Sequence, residues 1–187
     1  MNINKIRFTS LVALAVLSGA AHANLVVNGG YETGDFTSWG LDPAGSGSLF
    51  GVSGGGGHSG EFFAYFGAIK FEHDEIFQIL ATTASVSYDV SIWVLNNFDS
   101  ADNSLQIWWE GSVVLDMTPV GTAEGSWEEV TLQVSATQNG SELRIGGYDA
   151  PSFTYVDGVS VEAVPEPGSI VALSMGLGAF LLRRRKS

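Results

Sequence analysis

Apolar side chains recur at every second position through the middle of this chain, which is the period of a strand with one buried face. Val86, Tyr88, Val90, Ile92 and Val94 share one face, while Ser87, Asp89, Ser91, Trp93 and Leu95 share the other. In the same way Leu105, Ile107 and Trp109 oppose Gln106, Trp108 and Glu110, and Val130, Leu132 and Val134 oppose Glu129, Thr131 and Gln133. Runs rich in Val, Ile, Phe, Trp and Thr, broken by Gly, Asn, Asp and Ser, predict strands over 25–28, 38–41, 48–52, 62–66, 75–81 and 86–95. Further strands are predicted over 104–110, 113–117, 127–134, 142–148 and 154–163, and no helix-period segment of useful length interrupts them. A strand with one apolar face needs a second layer to cover it. The expected fold is therefore all-β, an antiparallel two-sheet β-sandwich. Asn139-Gly140 reads as a hairpin turn, since both residues tolerate positive φ. The glycine run from Gly54 to Gly57 follows no phosphate-loop pattern and precedes no helix, so nucleotide binding is unsupported.

The two ends break this pattern. Lys5 and Arg7 precede an apolar stretch from Phe8 to Ala21, and Ala21-His22-Ala23 supplies small residues for a peptidase, so residues 1–23 read as a secretory signal peptide. At the other end Val164-Pro165-Glu166-Pro167-Gly168 leads into an apolar run, 169–182, and then a basic stop, 183–186. The run is expected to be a transmembrane sorting helix, although it is shorter than the ~17–25 residues of an ordinary span. Its basic flank should stay cytoplasmic. Motif, apolar run and basic stop in that order resemble the PEP-CTERM sorting tail of Gram-negative envelope proteins. That resemblance implies an exosortase-type membrane protease as a partner, acting at Pro165, Glu166 and Pro167. It also implies an exported protein of the cell envelope or extracellular space, transiently membrane-anchored by the tail 164–187. The remaining stretch, 24–163, is enough for one domain with its own core.

Charge sharpens the picture once the ends are set aside. Only Lys70 and Arg144 remain as cations in 24–163, against nineteen acids, for a formal charge of −17. Such a surface repels phosphate backbones, so no nucleic acid is expected as partner, and anionic membrane surfaces are disfavoured. Divalent cations and neutral ligands suit it. Cysteine is absent, which excludes disulfide staples, dithiol redox chemistry and cysteine-ligated zinc.

The opening of the domain, Asn24-Leu25-Val26-Val27-Asn28-Gly29-Gly30-Tyr31-Glu32-Thr33-Gly34-Asp35-Phe36-Thr37-Ser38-Trp39, resembles the N-terminal signature of galactose-binding-like jelly rolls. That group includes several carbohydrate-binding modules. Ser91-Ile92-Trp93-Val94-Leu95, Trp108-Trp109-Glu110-Gly111 and the closing Tyr155-Val156-Asp157-Gly158-Val159-Ser160-Val161 follow in the group's order, although its closing motif carries a second acid where this chain has Gly158. The resemblance implies a jelly roll whose first and last strands pair. It also implies a structural Ca2+ held by Glu32 and Asp157, with carbonyls near Gly30 and in the His58–Gly60 segment. The alternative for these acids is turn capping.

Trp93 and Trp108 fall on the polar faces of their strands, where a flat indole suits stacking against a sugar ring, and Gln106 beside them can bond hydroxyls. Asp89 and Glu110 are expected nearby. Cross-strand aromatic packing would account for the same indoles. Trp39, Trp127 and Tyr65 are expected to fill the core or loops, and Glu72-His73-Asp74-Glu75 to form a solvated turn. No serine sits in a nucleophile-elbow context, and the many acids make chance carboxylate pairs uninformative, so an enzyme is not expected. The expected function is binding of exopolysaccharide or cell-surface glycan by an exported matrix protein. A structural or adhesive matrix protein without a sugar site is the alternative.

Overall fold

The structure, a computed structural model, describes residues 23–69, 71–97 and 102–165. Residues 1–22 of the signal peptide, the apolar run 169–182, the basic stop 183–186, and Glu166 and Pro167 of the sorting motif lie outside the described residues; Pro165 is the last of those described. Among the described residues no helix is long and apolar enough to cross a membrane. Ten strands among the described residues are divided between two five-stranded antiparallel sheets. They are β1 (Gly40–Asp42), β2 (Phe50–Gly54), β3 (Phe62–Phe66), β4 (Asp74–Leu80) and β5 (Ser87–Asn96), then β6 (Ser104–Trp109), β7 (Ser112–Met117), β8 (Glu128–Ser135), β9 (Ser141–Tyr148) and β10 (Thr154–Ala163). One sheet, here the β9 sheet, runs β1-β4-β9-β6-β7, and the other, the β10 sheet, runs β2-β3-β10-β5-β8. This is the expected sandwich, a jelly roll.

The alternation seen in the sequence sets which atoms meet between the layers. Ile76, Leu80, Leu105, Ile107, Leu143 and Ile145 of the β9 sheet pack against Phe66, Val90, Ile92, Val94, Val156 and Val161 of the β10 sheet, all of them buried. Each such side chain contributes about 1.5–3 kcal/mol by leaving water. Strand bounds agree with the expected ones to within one or two residues, except at the start. Segment 25–28 is not a ladder strand. Instead Asn24 borrows a strand's role with its side chain: Oδ1 accepts from the backbone N–H groups of Val26 and Val161, both at 2.9 Å, and Nδ2 donates to the Val159 carbonyl at 3.2 Å. The Leu25 N–H also donates to the Val161 carbonyl, and that of Val159 to the Gly29 carbonyl. The N-terminal segment thus borders β10 beyond Val156, where the β3 pairing stops. Gly29 is needed there, because a Cβ would stand 2.1 Å from the Val159 carbonyl oxygen.

The Asn139-Gly140 turn forms, with Gly140 at φ 79°, but it does not close a hairpin. The strand before it, β8, pairs with β5, and the one after it, β9, pairs with β4 and β6. The turn carries the chain from one sheet to the other. Local turn chemistry was legible, but burial of two apolar faces chose the partners. The hairpin of this region is instead β6–β7, closed by Glu110 and Gly111 at φ 50° and 78°, as a turn with two positive φ values requires.

Between β9 and β10 lies an electrostatic cost. Asp149 is fully buried; its Oδ2 accepts only a long 3.4 Å bond from Thr154 Oγ1, and its Oδ1 has no partner. Burial pushes its carboxyl up to about 6, weakly opposed by Thr154. Between its ordinary value and this one the folded state holds a proton that the unfolded chain has released, so the contribution of Asp149 to stability is greatest below about pH 4 and is lost as pH rises through 6. Asp149→Asn should melt above the wild type at pH 7.5 by about 1–3 kcal/mol, and this advantage should vanish at pH 4. Thermal melts of both proteins across that range check it.

Candidate functional site

The outer face of the β9 sheet is built from cross-strand rows. One row runs Gly40, Phe77, Arg144, Trp108, Val113, and the next runs Asp42, Glu75, Gly146, Gln106, Asp116. Gly146 makes room for Trp108. A Cβ there would stand 3.2 Å from the indole Cζ3 and 2.6 Å from Glu75 Cγ, so one edge of the ring lies over bare backbone, and the indole is half-exposed. Phe77 covers Gly40 in the same manner. Between the rings, Arg144 stands with its guanidinium carbon 4.8 Å from the Phe77 centroid, a cation–π contact. The guanidinium donates to Asp42 at 2.9 Å, to Glu142 at 3.0 Å and to Glu75. Burial works against its charge, but these three carboxylates outweigh it and keep the group protonated far above its ordinary range. The cation of this face is thereby neutralised, while Gln106 and Asp116 remain at its edge. Hydrogen bonds from Thr118, and next from Gln106, hold the Asp116 carboxyl below its ordinary value.

His73 borders the same face. Its Nε2 lies 3.1 Å from Ser104 Oγ, which lies 2.8 Å from Thr118 Oγ1, and Thr118 donates to Asp116 Oδ1 at 2.6 Å. Burial holds the imidazole below its ordinary pKa, with Glu75 and Asp116 pulling the other way. A hydrolytic triad places the acid on the imidazole, to orient it as a base for an exposed hydroxyl. Here the acid sits at the hydroxyl end of the chain, and Ser104 is 1% exposed. The arrangement fixes side chains and presents no nucleophile. The segment Glu72 to Glu75 is also not the expected solvated turn. Asp74 is fully buried and accepts the Ala44 and Leu49 N–H groups at 2.9 and 2.7 Å, and Glu75 is part of the Arg144 cluster.

Trp93 does not join Trp108. The two were expected on neighbouring strands, but β5 belongs to the β10 sheet and β6 to the β9 sheet, so the indoles stand on opposite outer faces. Trp108 and Gln106 share a face; Trp93 and Asp89 share the other. Nor is Trp93 an open platform, because the His58 imidazole stacks on it at 3.5 Å and 9°. The carboxylate of Glu110, expected to meet sugar hydroxyls, accepts from Ser141 Oγ at 2.6 Å and from Thr137 Oγ1 at 2.5 Å, tying the β6–β7 turn to the β8–β9 connection. Trp39 is in the core and Trp127 in the loop before β8, both as expected. Tyr65 is in neither: with Phe63, Trp127, Phe153 and Tyr155 it forms an aromatic band on the β10 sheet. Alternation held the signal, since Phe63 and Tyr65 oppose the core residues Ala64 and Phe66, and Tyr155 opposes Val156.

Glu32, Asp157 and Gly30 do come together. A Cβ on Gly30 would stand 3.6 Å from Asp157 Oδ1 and 3.8 Å from Glu32 Cγ. Asp157 is fully buried; its Oδ2 accepts the Ser59 N–H at 2.8 Å and its Oδ1 the Gly158 N–H at 2.6 Å. Burial pushes its carboxyl above the ordinary value, against hydrogen bonds from the Ser59, Gly158 and His58 backbone. Glu32 accepts from the Glu61 and Phe62 N–H groups at 3.1 and 3.0 Å. Beside them the Tyr31 hydroxyl is buried without a partner, and burial, then the Asp157 charge, pushes its pKa up. Among the described residues no three His, Cys, Asp or Glu side chains gather as a metal cluster. A cation here would draw on two carboxylates plus backbone and hydroxyl oxygens. Gly158 itself sits at φ 58° in a bulge of β10, with the Trp93 Cδ1 atom 2.9 Å from where a Cβ would be. That geometry explains why the second acid of the resembling motif is missing here.

Residues 163–186 match the PEP-CTERM protein-sorting motif, which implies export and association with the envelope. No curated protein matches the chain by sequence. Among solved structures, the chain is similar to TmCBM61 in complex with beta-1,4-galactotriose, at 15% identity and a TM-score of 0.61, over 76% of this chain and 99% of that one. It is also similar to the CBM22-1 xylan-binding domain of Xyn10C from Paenibacillus barcinonensis, at 18% identity and a TM-score of 0.55, over 80% and 99%. A family 16 carbohydrate-binding module shares 15% identity and a TM-score of 0.53, over 74% and 99%. The shared property is the fold: this chain is built as carbohydrate-binding modules with a jelly roll are.

Proposed function

We propose that the protein is an exported, non-catalytic binding protein that takes a neutral exopolysaccharide or cell-surface glycan on the outer face of the β9 sheet. The observation that carries this reading is Trp108, a half-exposed indole whose Cζ3 edge lies over Gly146, with Gln106 and Asp116 in the adjoining row. A flat apolar ring face beside a few placed polar groups is what a sugar site needs, because a pyranose offers C–H bonds on one side and hydroxyls at its rim. Arg144 is already neutralised by three carboxylates and is not free to receive an acidic sugar, and the formal charge of −17 over 24–163 repels polyanions. The similarity to carbohydrate-binding modules supports the class of ligand. In the same reading an exosortase-type protease cuts at Pro165, Glu166 and Pro167 and releases the domain into the extracellular matrix.

A structural Ca2+ belongs to this proposal. Asp157 is a fully buried carboxylate without a lysine or arginine partner among the described residues, and the Tyr31 hydroxyl beside it is an orphan. Hard oxygens with excess negative charge fit Ca2+ better than a transition metal. Glu32, Asp157 and the Gly30 backbone would hold it, and the ion would offset the burial of the Asp157 charge.

Two measurements follow. On an array of neutral polysaccharides, Trp108→Ala should weaken binding at least tenfold and leave the melting temperature within a few degrees of the wild type. Equal loss of stability and unchanged binding would make the indole a packing element. Calcium should raise the melting temperature, its stabilisation growing with the logarithm of concentration to about 2.7 kcal/mol at a hundredfold excess over Kd. A chelator should reverse this and Asp157→Asn abolish it. Identical melts with calcium and with chelator contradict the metal.

A further inference from the structure

The outer face of the β10 sheet is a second surface that the Trp108 site leaves unused. Its upper half is the aromatic band. Gly51, Tyr65, Tyr155 and Leu95 stand in one cross-strand row over β2, β3, β10 and β5, roughly 15 Å wide at ordinary strand spacing. Tyr65 lies across Gly51, where a Cβ would meet its hydroxyl oxygen at 2.6 Å, and Phe153 lies across Gly67 in the same way. Tyr65 meets Phe153 edge-on at 5.4 Å, and Tyr155 meets Phe63 at 4.7 Å. The rings are locked by one another and by bare backbone, so they present a fixed surface at little conformational cost.

The lower half of the same face is polar. Ser91 pairs with Thr131 and Ser160, and Asp89 with Gln133 and Glu162, so hydroxyls and carboxylates line an open groove of about 780 Å³ along β5 and β8. The stacked pair His58 and Trp93 stands between the halves, with Trp93 opposite Glu129. Strand β5 spans ten residues, so ring band and groove together run for roughly 30 Å.

We infer that this face is a second glycan-binding surface and that the domain is bivalent, holding one neutral polysaccharide chain on each sheet. The inference rests on the glycan reading of the Trp108 face and extends it. The occupant follows from the chemistry of the face. Its groove supplies carboxylate and hydroxyl acceptors, and Arg144, the described arginine, lies on the other sheet, so an anionic chain is repelled while a chain of O–H donors is matched. The large exposed aliphatic side chains, Leu41, Ile79 and Val113 among them, lie on the β9 sheet or in loops. Because the two faces point in opposite directions, no single chain reaches both without passing around the sandwich. Two chains, once bound, are cross-linked.

Titration calorimetry of the domain with xylohexaose, with beta-1,4-galactotriose and with a mixed-linkage β-glucan oligosaccharide tests this. Light scattering with the corresponding polymers reports cross-linking. The expected stoichiometry is two for at least one probe. It should fall to one in Trp108→Ala and to one in Tyr155→Ala, with polymer scattering lost in both and all binding lost in the double variant. Ser91→Arg, which blocks the groove without removing a ring, should also reduce the stoichiometry to one if Tyr155→Ala fails to fold. A wild-type stoichiometry of one, abolished by Trp108→Ala alone, overturns the second surface and leaves the first standing. One site that survives Trp108→Ala and is lost in Ser91→Arg overturns both bivalency and the Trp108 site. Absence of binding to all three probes overturns the glycan reading and bivalency together.

Discussion

A single buried carboxylate organises one side of this domain. Asp157 sits where β10 bulges, fully out of water, and it accepts backbone N–H groups from Ser59 and Gly158. Hydrogen bonds to a charged group contribute about 1.5–3 kcal/mol each, yet leaving such a group unpaired costs as much or more. The chain therefore has to wrap it. Gly30 closes in from the N-terminal segment and Ser59 from the β2–β3 loop. Glu32 pins the far end of that loop through Glu61 and Phe62. Once the loop is drawn in, His58 is delivered onto Trp93, and Trp127 anchors to the Gly56 carbonyl. The shape of the β10 face follows from a charge that has to be satisfied.

The β9 sheet resolves its electrostatics differently. Its cation is surrounded rather than buried, with Arg144 held by Asp42, Glu75 and Glu142 and stacked on Phe77. The cluster couples β1, β4 and β9 across their outer side and leaves the next strand, β6, to carry the exposed indole. Glycine at 146 is the complementary requirement, because a side chain there would lift Trp108 off the sheet. A binding surface thus arises from two choices made for packing: a neutralised guanidinium and a strand position without a side chain.

Period-two alternation made the strands legible almost to the residue, and it placed Val90, Ile92, Leu105 and Ile107 in the core correctly. What it cannot carry is partnership. Strands β5 and β6 are consecutive and similar in pattern, yet one lies in each sheet, so Trp93 and Trp108 part company. The Asn139-Gly140 turn reads as a hairpin because turn propensity is local, whereas the pairing of β8 with β5 is decided by which apolar faces meet. The Glu32, Asp157 and Gly30 convergence was legible only through resemblance to jelly rolls. The burial of Asp74 and Asp149 was not legible at all, since an acid at the end of a strand or just beyond it ordinarily stays in water. Tyr65, Phe63 and Tyr155 occupy the outward half of their strands, a signal that alternation carries but that the usual burial of aromatic side chains masks.

The central claim is that a glycan lies on the outer face of the β9 sheet over Trp108. The five indole N–H groups of Trp39, Trp93, Trp108, Trp109 and Trp127 report on different places in the fold, and their nitrogen–proton correlation signals can be followed during a titration with xylohexaose or beta-1,4-galactotriose. The account predicts that the Trp108 signal moves first and saturates, while those of Trp39 and Trp109, buried in the core, stay fixed. A Trp108 signal that does not move while the sugar binds elsewhere would contradict it.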